Sequence, residues 1–371
     1  MPKVLRVITR LNVGGPSKQI STLNAIFKGE SFDQLLITGR VLDSEKEIEL
    51  NQFSNLIKLS RLQRELQPFN DLYCIFRIAA EIRRYNPDII HTHLSKAWAL
   101  TVIAKMLSGR KAKVVHTFHG HILHSYFPKW KTILINLFQR FLASKTDVLV
   151  AVNEITKDEL LESHIGLESS FHVINPGFKP AIQESLEVAR LKLKIHEEFF
   201  TIGFVGRFEA IKRPDLLAQI INSVNLRFRN VQFLICGGGS LYDVFKKDVA
   251  APNVYCLPWV EDLSPIYSSL NLMILTSDNE GSPLTIVEAG QLGVPTLSRP
   301  VGGVPRLILD SKTGFLTTEE PDDYVTVIDF LMSHPSVLSE VSINTKEHFQ
   351  LNYGEEIFLR KYSDLYLELM A

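Results

Sequence analysis

Residues 271–293 read NLMILTSDNEGSPLTIVEAGQLG, and their order of apolar run, polar break and helix decides the fold class. Leu272-Met273-Ile274-Leu275 has the length of a buried strand and is too short for a helix. Thr276 to Gly281 is a polar loop. Ser282 then suits a helix N-cap and Pro283 the first helical position, where its missing N–H costs nothing. Ile286, Val287 and Ala289 are the apolar positions of a helix running to Leu292. Strand, tight loop and helix start make an anion site, because the N–H groups near Leu284 and Thr285 point out of the helix and the macrodipole adds partial positive charge. Glu280 stands in front of that site, and Glu288 lies in the helix with seven residues between the two. Carboxylates there would not bind phosphate. They would accept hydrogen bonds from hydroxyl groups on either side of it, as a ribose and a hexose joined by a diphosphate offer. A helix with a favourable first turn and a solvated Glu288 fits the same residues.

At 371 residues the chain exceeds one ordinary core and predicts two domains. With 45% hydrophobic and 22% charged residues, the composition is that of a soluble globular protein. No run reaches the ~18 apolar residues of a spanning helix. Met1 to Ile8 leads straight into a strand, so no secretory signal is expected. Cys74, Cys236 and Cys256 fit no metal spacing and predict reduced, intracellular thiols. Charge is uneven. Residues 1–180 hold 24 Lys and Arg against 16 Asp and Glu, and residues 181–371 hold 16 against 25. A basic first half suits an acidic or membrane-borne partner, or is a solvated surface with none.

In the first half, strands alternate with helices. Strands are expected at Val4–Thr9, Gln34–Thr38, Asp88–His93, Lys113–Phe118 and Asp147–Val152, with helices at about Ser17–Phe27, Leu72–Tyr85 and Lys96–Leu107. Residues 43–70 carry little signal. Gly14 and Gly15 follow the first strand and let a ligand approach the backbone. The loop lacks Gly-x-Gly-x-x-Gly spacing, which disfavours a dinucleotide site and hence a dehydrogenase. Six histidines fall between His91 and His124. A metal site is conceivable, but no carboxylate or cysteine completes a ligand set. Lining a crevice at strand ends is the better reading, with His119 the strongest candidate because Gly120 behind it permits a sharp turn. After it, Tyr126-Phe127-Pro128-Lys129-Trp130-Lys131 opens a helix with Leu134, Leu137, Phe138, Phe141 and Leu142 on one side. That stripe is expected to pack on the sheet; a membrane face is the alternative.

Residues 179–198 are charged and helix-prone and serve as the linker. The alternation then restarts. Phe200–Val205 is a strand, and Arg207 and Lys212 flank the loop after it, where two long cations can clamp a diphosphate. They could also be ordinary surface cations. Val231–Cys236 ends at Gly237-Gly238-Gly239, which leaves room for a flat base or a ribose. Strands at Val254–Leu257, Thr296–Leu297 and Thr313–Leu316 follow, and the last helix spans about Glu355 to Met370.

Together these pieces resemble the retaining glycosyltransferases of family 4, with two facing Rossmann-like domains (the GT-B fold), an α/β class of mostly parallel sheets with helices on both faces. The matching stretches are FVGRFEAIKR, ICGGGSLYD, YCLPWVEDLSPIY, LTSDNEGSPLTIVEAGQLGVPTLSRPVGGVP and KTGFL, in family order across most of residues 200–318. LNVGGPSKQ, PDIIHTHLSKA and VVHTFHGHILHSYF extend the likeness into the first half. The resemblance implies an acceptor-side domain over 1–178, joined by a returning helix over 353–371, and a nucleotide-sugar domain over 179–352. It implies that Arg207 and Lys212 hold the donor diphosphate, that Glu288 takes the ribose hydroxyls, and that Glu280 lies on the transferred sugar. Backbone near Gly281, Ser282, Pro283, Leu284 and Thr285 would contact sugar and phosphate, with Gly237, Gly238 and Val260 completing the donor site. His119 would reach the sugar from the facing domain, and Gly14 and Gly15 would pass near phosphate or acceptor. No metal and no cofactor is implied, since the nucleotide-sugar is a substrate. Arg306 departs from the family, which often has an acidic residue after the Gly-Gly-Val-Pro turn.

The expected activity is therefore retaining, metal-independent transfer of a sugar from a nucleotide diphosphate, a UDP-sugar above others, to a hydroxyl on a carbohydrate or lipid-linked acceptor. Polysaccharide or glycolipid synthesis in the cytoplasm, with peripheral contact at the inner membrane face, would be its setting, and no nucleic-acid partner is expected. A nucleotide-sugar epimerase or hydrolase of the same fold would need acid/base carboxylates in the first-domain crevice, where histidines stand. A non-catalytic nucleotide-sugar binding protein would have no reason to keep Glu280, Glu288, Arg207 and Lys212 together.

Overall fold

In the computed structural model, residues 1–371 are described except 29–30, 43–44, 121–128, 180–181 and 261, together with the side chains of Lys28 and Lys129. His121, His124 and the Tyr126–Pro128 lead into the fourth helix lie outside the described residues. The chain divides into two units, Met1–Gly177 with Glu355–Ala371, and Phe178–Gly354.

The first unit runs β1 (Lys3–Ile8), α1 (Gly15–Leu23), β2 (Asp33–Gly39), β3 (Leu56–Leu59), α2 (Pro68–Tyr85), β4 (Ile89–His93), α3 (Ser95–Ser108), β5 (Lys113–Phe118), α4 (Lys129–Ala143), β6 (Val148–Ala151), α5 (Glu154–Glu162) and β7 (Phe171–Val173). Its sheet has the order β3-β2-β1-β4-β5-β6-β7, and every pairing is parallel. Side chains alternate across β1. Leu5 and Val7 join α2 and α3 in one core, while Val4 faces the opposite layer. Burial on both faces explains the nearly continuous apolar runs of these strands. Arg6 breaks the run yet is fully buried, with its guanidinium donating to Gln34 Oε1 at 2.6 Å and to the Ile20 carbonyl at 3.2 Å.

The second unit runs α6 (Leu186–Leu193), β8 (Phe200–Arg207), α7 (Pro214–Arg227), β9 (Val231–Gly238), α8 (Tyr242–Asp248), β10 (Val254–Leu257), α9 (Ser264–Ser268), β11 (Leu272–Leu275), α10 (Leu284–Gln291), β12 (Thr296–Ser298), α11 (Val304–Leu307), β13 (Gly314–Leu316), α12 (Pro321–Ser333) and α13 (Pro335–Tyr353). Its parallel sheet is ordered β10-β9-β8-β11-β12-β13. The helix α14 (Glu355–Met370) belongs to the first unit, where Phe358, Tyr362, Leu365 and Tyr366 are buried with Val4, Ile89 and Val115.

Both sheets are parallel, as the fold class requires, and three details differ from the sequence reading. The helix of the opening segment starts one residue late: Pro283 is its N-cap, in extended backbone with ψ 113°, and no side chain caps it. Residues 43–70 hold an edge strand, β3, too short to show a period. Finally, the apolar stripe of α4 does not pack on the sheet. Leu142 is buried, but Leu134, Leu137, Phe138 and Phe141 are exposed. α2 likewise exposes Phe69, Leu72, Tyr73 and Phe76, one stripe at helical spacing.

Candidate active site

In each sheet the strand order reverses beside the first strand of the unit, between β1 and β4 and between β8 and β11. Loops diverge at such a point and leave a crevice at the carboxyl ends of the strands. The sequence-predicted residues lie there: Gly14 and Gly15 after β1, His93 and His119 at the ends of β4 and β5, Arg207 at the end of β8 with Lys212 after it, and Glu280 after β11.

Backbone and side-chain hydrogen bonds tie the loops of the second unit together. The Asp278 N–H donates to the Ile211 carbonyl at 2.9 Å, and Thr276 Oγ1 donates to the Lys212 carbonyl at 2.7 Å. The Phe208 N–H donates to the Gly238 carbonyl at 2.9 Å, and Ser240 Oγ donates to Glu209 at 2.8 Å. Within this frame Lys212 Nζ forms an ion pair with Glu280 Oε1, and Ser277 Oγ donates to the same oxygen at 2.6 Å. The Gly303 N–H donates to the Glu280 carbonyl at 2.8 Å. Gly302 lies so close that a Cβ there would sit 2.0 Å from that carbonyl, at a φ of +48°.

α10 begins at Leu284 directly behind Glu280, with no acidic residue in its first turn. Its leading N–H groups have no acceptor within the helix. Ser282 Oγ, at that tip, is buried with no hydrogen-bond partner among the described residues. About one turn into the helix, Glu288 is half-buried and accepts from the Tyr267 hydroxyl at 3.0 Å. Burial, then the Glu288 charge, holds the Tyr267 phenol well above its ordinary value, so it remains a donor. Arg207, the last residue of β8, is exposed and makes no ion pair among the described residues; it precedes the turn that carries Lys212 and is joined to neither glutamate. Behind the loop, Arg213 and Arg299 share Asp278 at 3.2 and 2.7 Å, and Arg299 also reaches Glu319 at 3.1 Å.

The glycines divide. A Cβ on Gly237 or Gly239 would meet the backbone of Gly206 or Phe208, so close chain packing requires both. Gly238 instead lies against the Trp259 indole, 3.2 Å from a built Cβ, with Trp259 and Val260 exposed beside it. In the first unit Gly14 is extended and exposed, and a Cβ there would meet nothing nearer than 4.0 Å. Packing therefore gives no reason for that glycine. Arg306 is exposed on α11.

Three histidines form a chain in the first unit. His119 Nε2 and His93 Nδ1 share a hydrogen bond at 3.1 Å, and the His93 and His91 rings stand 4.1 Å apart. His91 closes the chain on Tyr366 of α14 at 2.7 Å and Thr117 at 2.8 Å. Burial lowers His119 to about 4 and holds His91 and His93 well below the ordinary value, so all three are neutral at pH 7. Among the described residues, no group of three or more His, Cys, Asp and Glu side chains is placed to hold a metal ion.

Sequence reasoning missed Ser277, Tyr267 and Glu209. Ser277 stands in the quoted loop but looked like any turn residue. The other two have no local signal, since Tyr267 is 21 residues from Glu288 and Glu209 is 31 from Ser240.

Residues 200–334 match the glycosyl transferases group 1 family, and residues 36–181 match glycosyltransferase family 4. The chain belongs to the family 4 glycosyltransferases. Among its relatives, the capsular polysaccharide biosynthesis glycosyltransferase CapM of Staphylococcus aureus is 22% identical over 86% of this chain and 87% of its own. The UDP-Gal:alpha-D-GlcNAc-diphosphoundecaprenol alpha-1,3-galactosyltransferase of Escherichia coli is 26% identical over 84% and 83%. Among solved structures, the sucrose-phosphate synthase of Thermosynechococcus elongatus superposes with a TM-score of 0.83 at 15% identity, covering 100% of this chain and 99% of that one. Anabaena Alr3699/HepE, solved with UDP and glucose, gives 0.80 at 15% identity, with 99% of both chains covered. This family 4 glycosyltransferase thus has two parallel-sheet α/β units of the GT-B type.

Proposed function

We propose that this enzyme is a retaining, metal-independent glycosyltransferase that moves a hexose from a UDP-sugar to a hydroxyl of a lipid-linked saccharide. One observation carries the reading: Lys212 and Glu280 are locked together in front of an uncapped helix tip at the strand reversal of the second sheet. The E. coli relative, named for a UDP-galactose donor and a diphosphoundecaprenol-linked acceptor, supports the choice of both substrates. Cys74, Cys236 and Cys256 are free, which suits an intracellular setting.

In this reading the bond from the anomeric carbon to the donor phosphate breaks as the bond to the acceptor oxygen forms on the same face. The acceptor proton passes to the departing phosphate oxygen. Charge grows on the diphosphate, where Lys212, Arg207 and the N–H groups of Leu284 and Thr285 meet it; fixed charges and dipoles aimed at a developing anion supply the largest share of such a rate enhancement. Glu288, steadied by Tyr267, takes the ribose hydroxyls, and Glu280, steadied by Ser277, takes those of the sugar. Gly238, Trp259 and Val260 flank the base, Gly14 and Gly15 leave backbone open to a ligand, and His119 acts as a neutral hydrogen-bonding group.

A panel of nucleotide-sugars scored by thermal shift identifies the donor, because a ligand of the native state raises its stability. Lys212→Ala and Glu288→Ala should each lower turnover by at least ~10-fold. Unchanged turnover in both would sink the assignment. Free sugar released without an acceptor, at the rate of the full reaction, would make the protein a hydrolase instead.

A further inference from the structure

Helix α4 carries an apolar stripe that the fold does not use. Trp130, Ile133, Leu134, Leu137, Phe138 and Phe141 recur at helical steps and are between 43% and 60% exposed. They lie on one face over almost the whole helix, a strip roughly 20 Å long. The opposite side anchors α4, since Leu142 and Ala143 are buried with Trp98, Phe118 and Leu149. Six large apolar side chains in a row facing water mark a surface that something covers.

Charge indicates what covers it. Residues 89–146 hold nine Lys and Arg and no Asp or Glu. Lys131 is exposed beside the stripe, with its amine 5.4 Å from the centre of the Trp130 ring, and Lys145 is exposed just past the helix end. A second copy of the chain would bring the same cations against these and be repelled. A protein face of ordinary composition would supply no excess of anions. An anionic bilayer answers both features: apolar side chains enter the acyl boundary, an indole sits at headgroup depth, and amines meet lipid phosphates.

We propose that α4 lies flat on a membrane of anionic phospholipid and docks the first unit there. α2, which packs with α3, exposes a second apolar stripe on the same unit.

Co-sedimentation of the full chain with phospholipid vesicles tests this without reference to catalysis. The chain should bind vesicles of phosphatidylcholine with phosphatidylglycerol at least ~10-fold more tightly than phosphatidylcholine alone. Leu134→Glu combined with Phe138→Glu should weaken that binding by at least ~10-fold, with the thermal midpoint and the UDP-induced shift preserved. Lys131→Glu combined with Lys145→Glu should remove the preference for the anionic lipid. If the double glutamate variant does not fold, fluorescence decides: anionic vesicles should blue-shift the wild-type emission, and Trp130→Phe should abolish that shift. Wild-type chain left in the supernatant, equal binding by the folded variant, or a vesicle-induced shift that survives Trp130→Phe would overturn the proposal. So would a concentration-dependent dimer, lost in the same variant, with no vesicle binding.

Discussion

Glu288 illustrates how one residue in this enzyme depends on another far along the chain. Its carboxylate is oriented by Tyr267, a fully buried phenol on α9 whose only polar atom points at it. A hydrogen bond to a charged group contributes more than a neutral one, roughly 1.5–3 kcal/mol. Tyr267→Phe keeps the ring and removes the donor, so donor affinity should fall by about 10-fold, read by titration calorimetry with UDP. Unaltered affinity would mean that Glu288 needs no such support. Ser277 does the same for Glu280 at shorter range. The two glutamates, the Arg207 and Lys212 loop and the helix tip were readable from spacing and residue type. Their supports were not, because a phenol in a short helix looks the same whether it points at a carboxylate or into a core.

At the scale of elements, the site depends on where α10 sits. α10 packs on α13 through Gly290, where a Cβ would lie 2.2 Å from the Phe349 ring. Gly290→Leu should therefore push the helices apart and destabilise the second unit by roughly 1–3 kcal/mol. A lowered midpoint in urea, together with a weaker thermal shift by UDP, is expected; an unchanged midpoint would show that the helices part freely. Most strands were legible as short apolar runs between turn residues. The edge strand β3 and the short helices α8 and α11 were not, since so few residues show no period. α4 was misread for another reason: an amphipathic pattern names a face that avoids water but not what covers it.

For the whole molecule, the chain end matters. α14 completes the first unit after the chain has passed through the second, and Tyr366 and Tyr362 satisfy His91 and Thr117. His91, His93, His116 and His119 are all held neutral, chiefly by burial, with folded values below the ordinary 6.5. The unfolded chain thus takes up protons first as pH falls. Their stabilisation is complete above about pH 6.5 and declines below it, by up to roughly 1.4 kcal/mol per pH unit for each histidine, until the folded value is reached, about 4 for His119. Calorimetry at about pH 7 and about pH 5 should show a clear drop in the thermal midpoint. Equal midpoints would mean that the histidines are hydrated and titrate normally.

The residues alone determined two alternating α/β halves, the cation-bearing segment after β8 and the pair of glutamates at and behind the start of α10, because strand length, helix starts and residue type act within a few neighbours. Only the tertiary structure decided which hydroxyls hold those glutamates, which glycines serve packing rather than a ligand, and that the stripe of α4 faces outward. Those outcomes depend on contacts between segments tens of residues apart, and local sequence carries no record of which surfaces will meet.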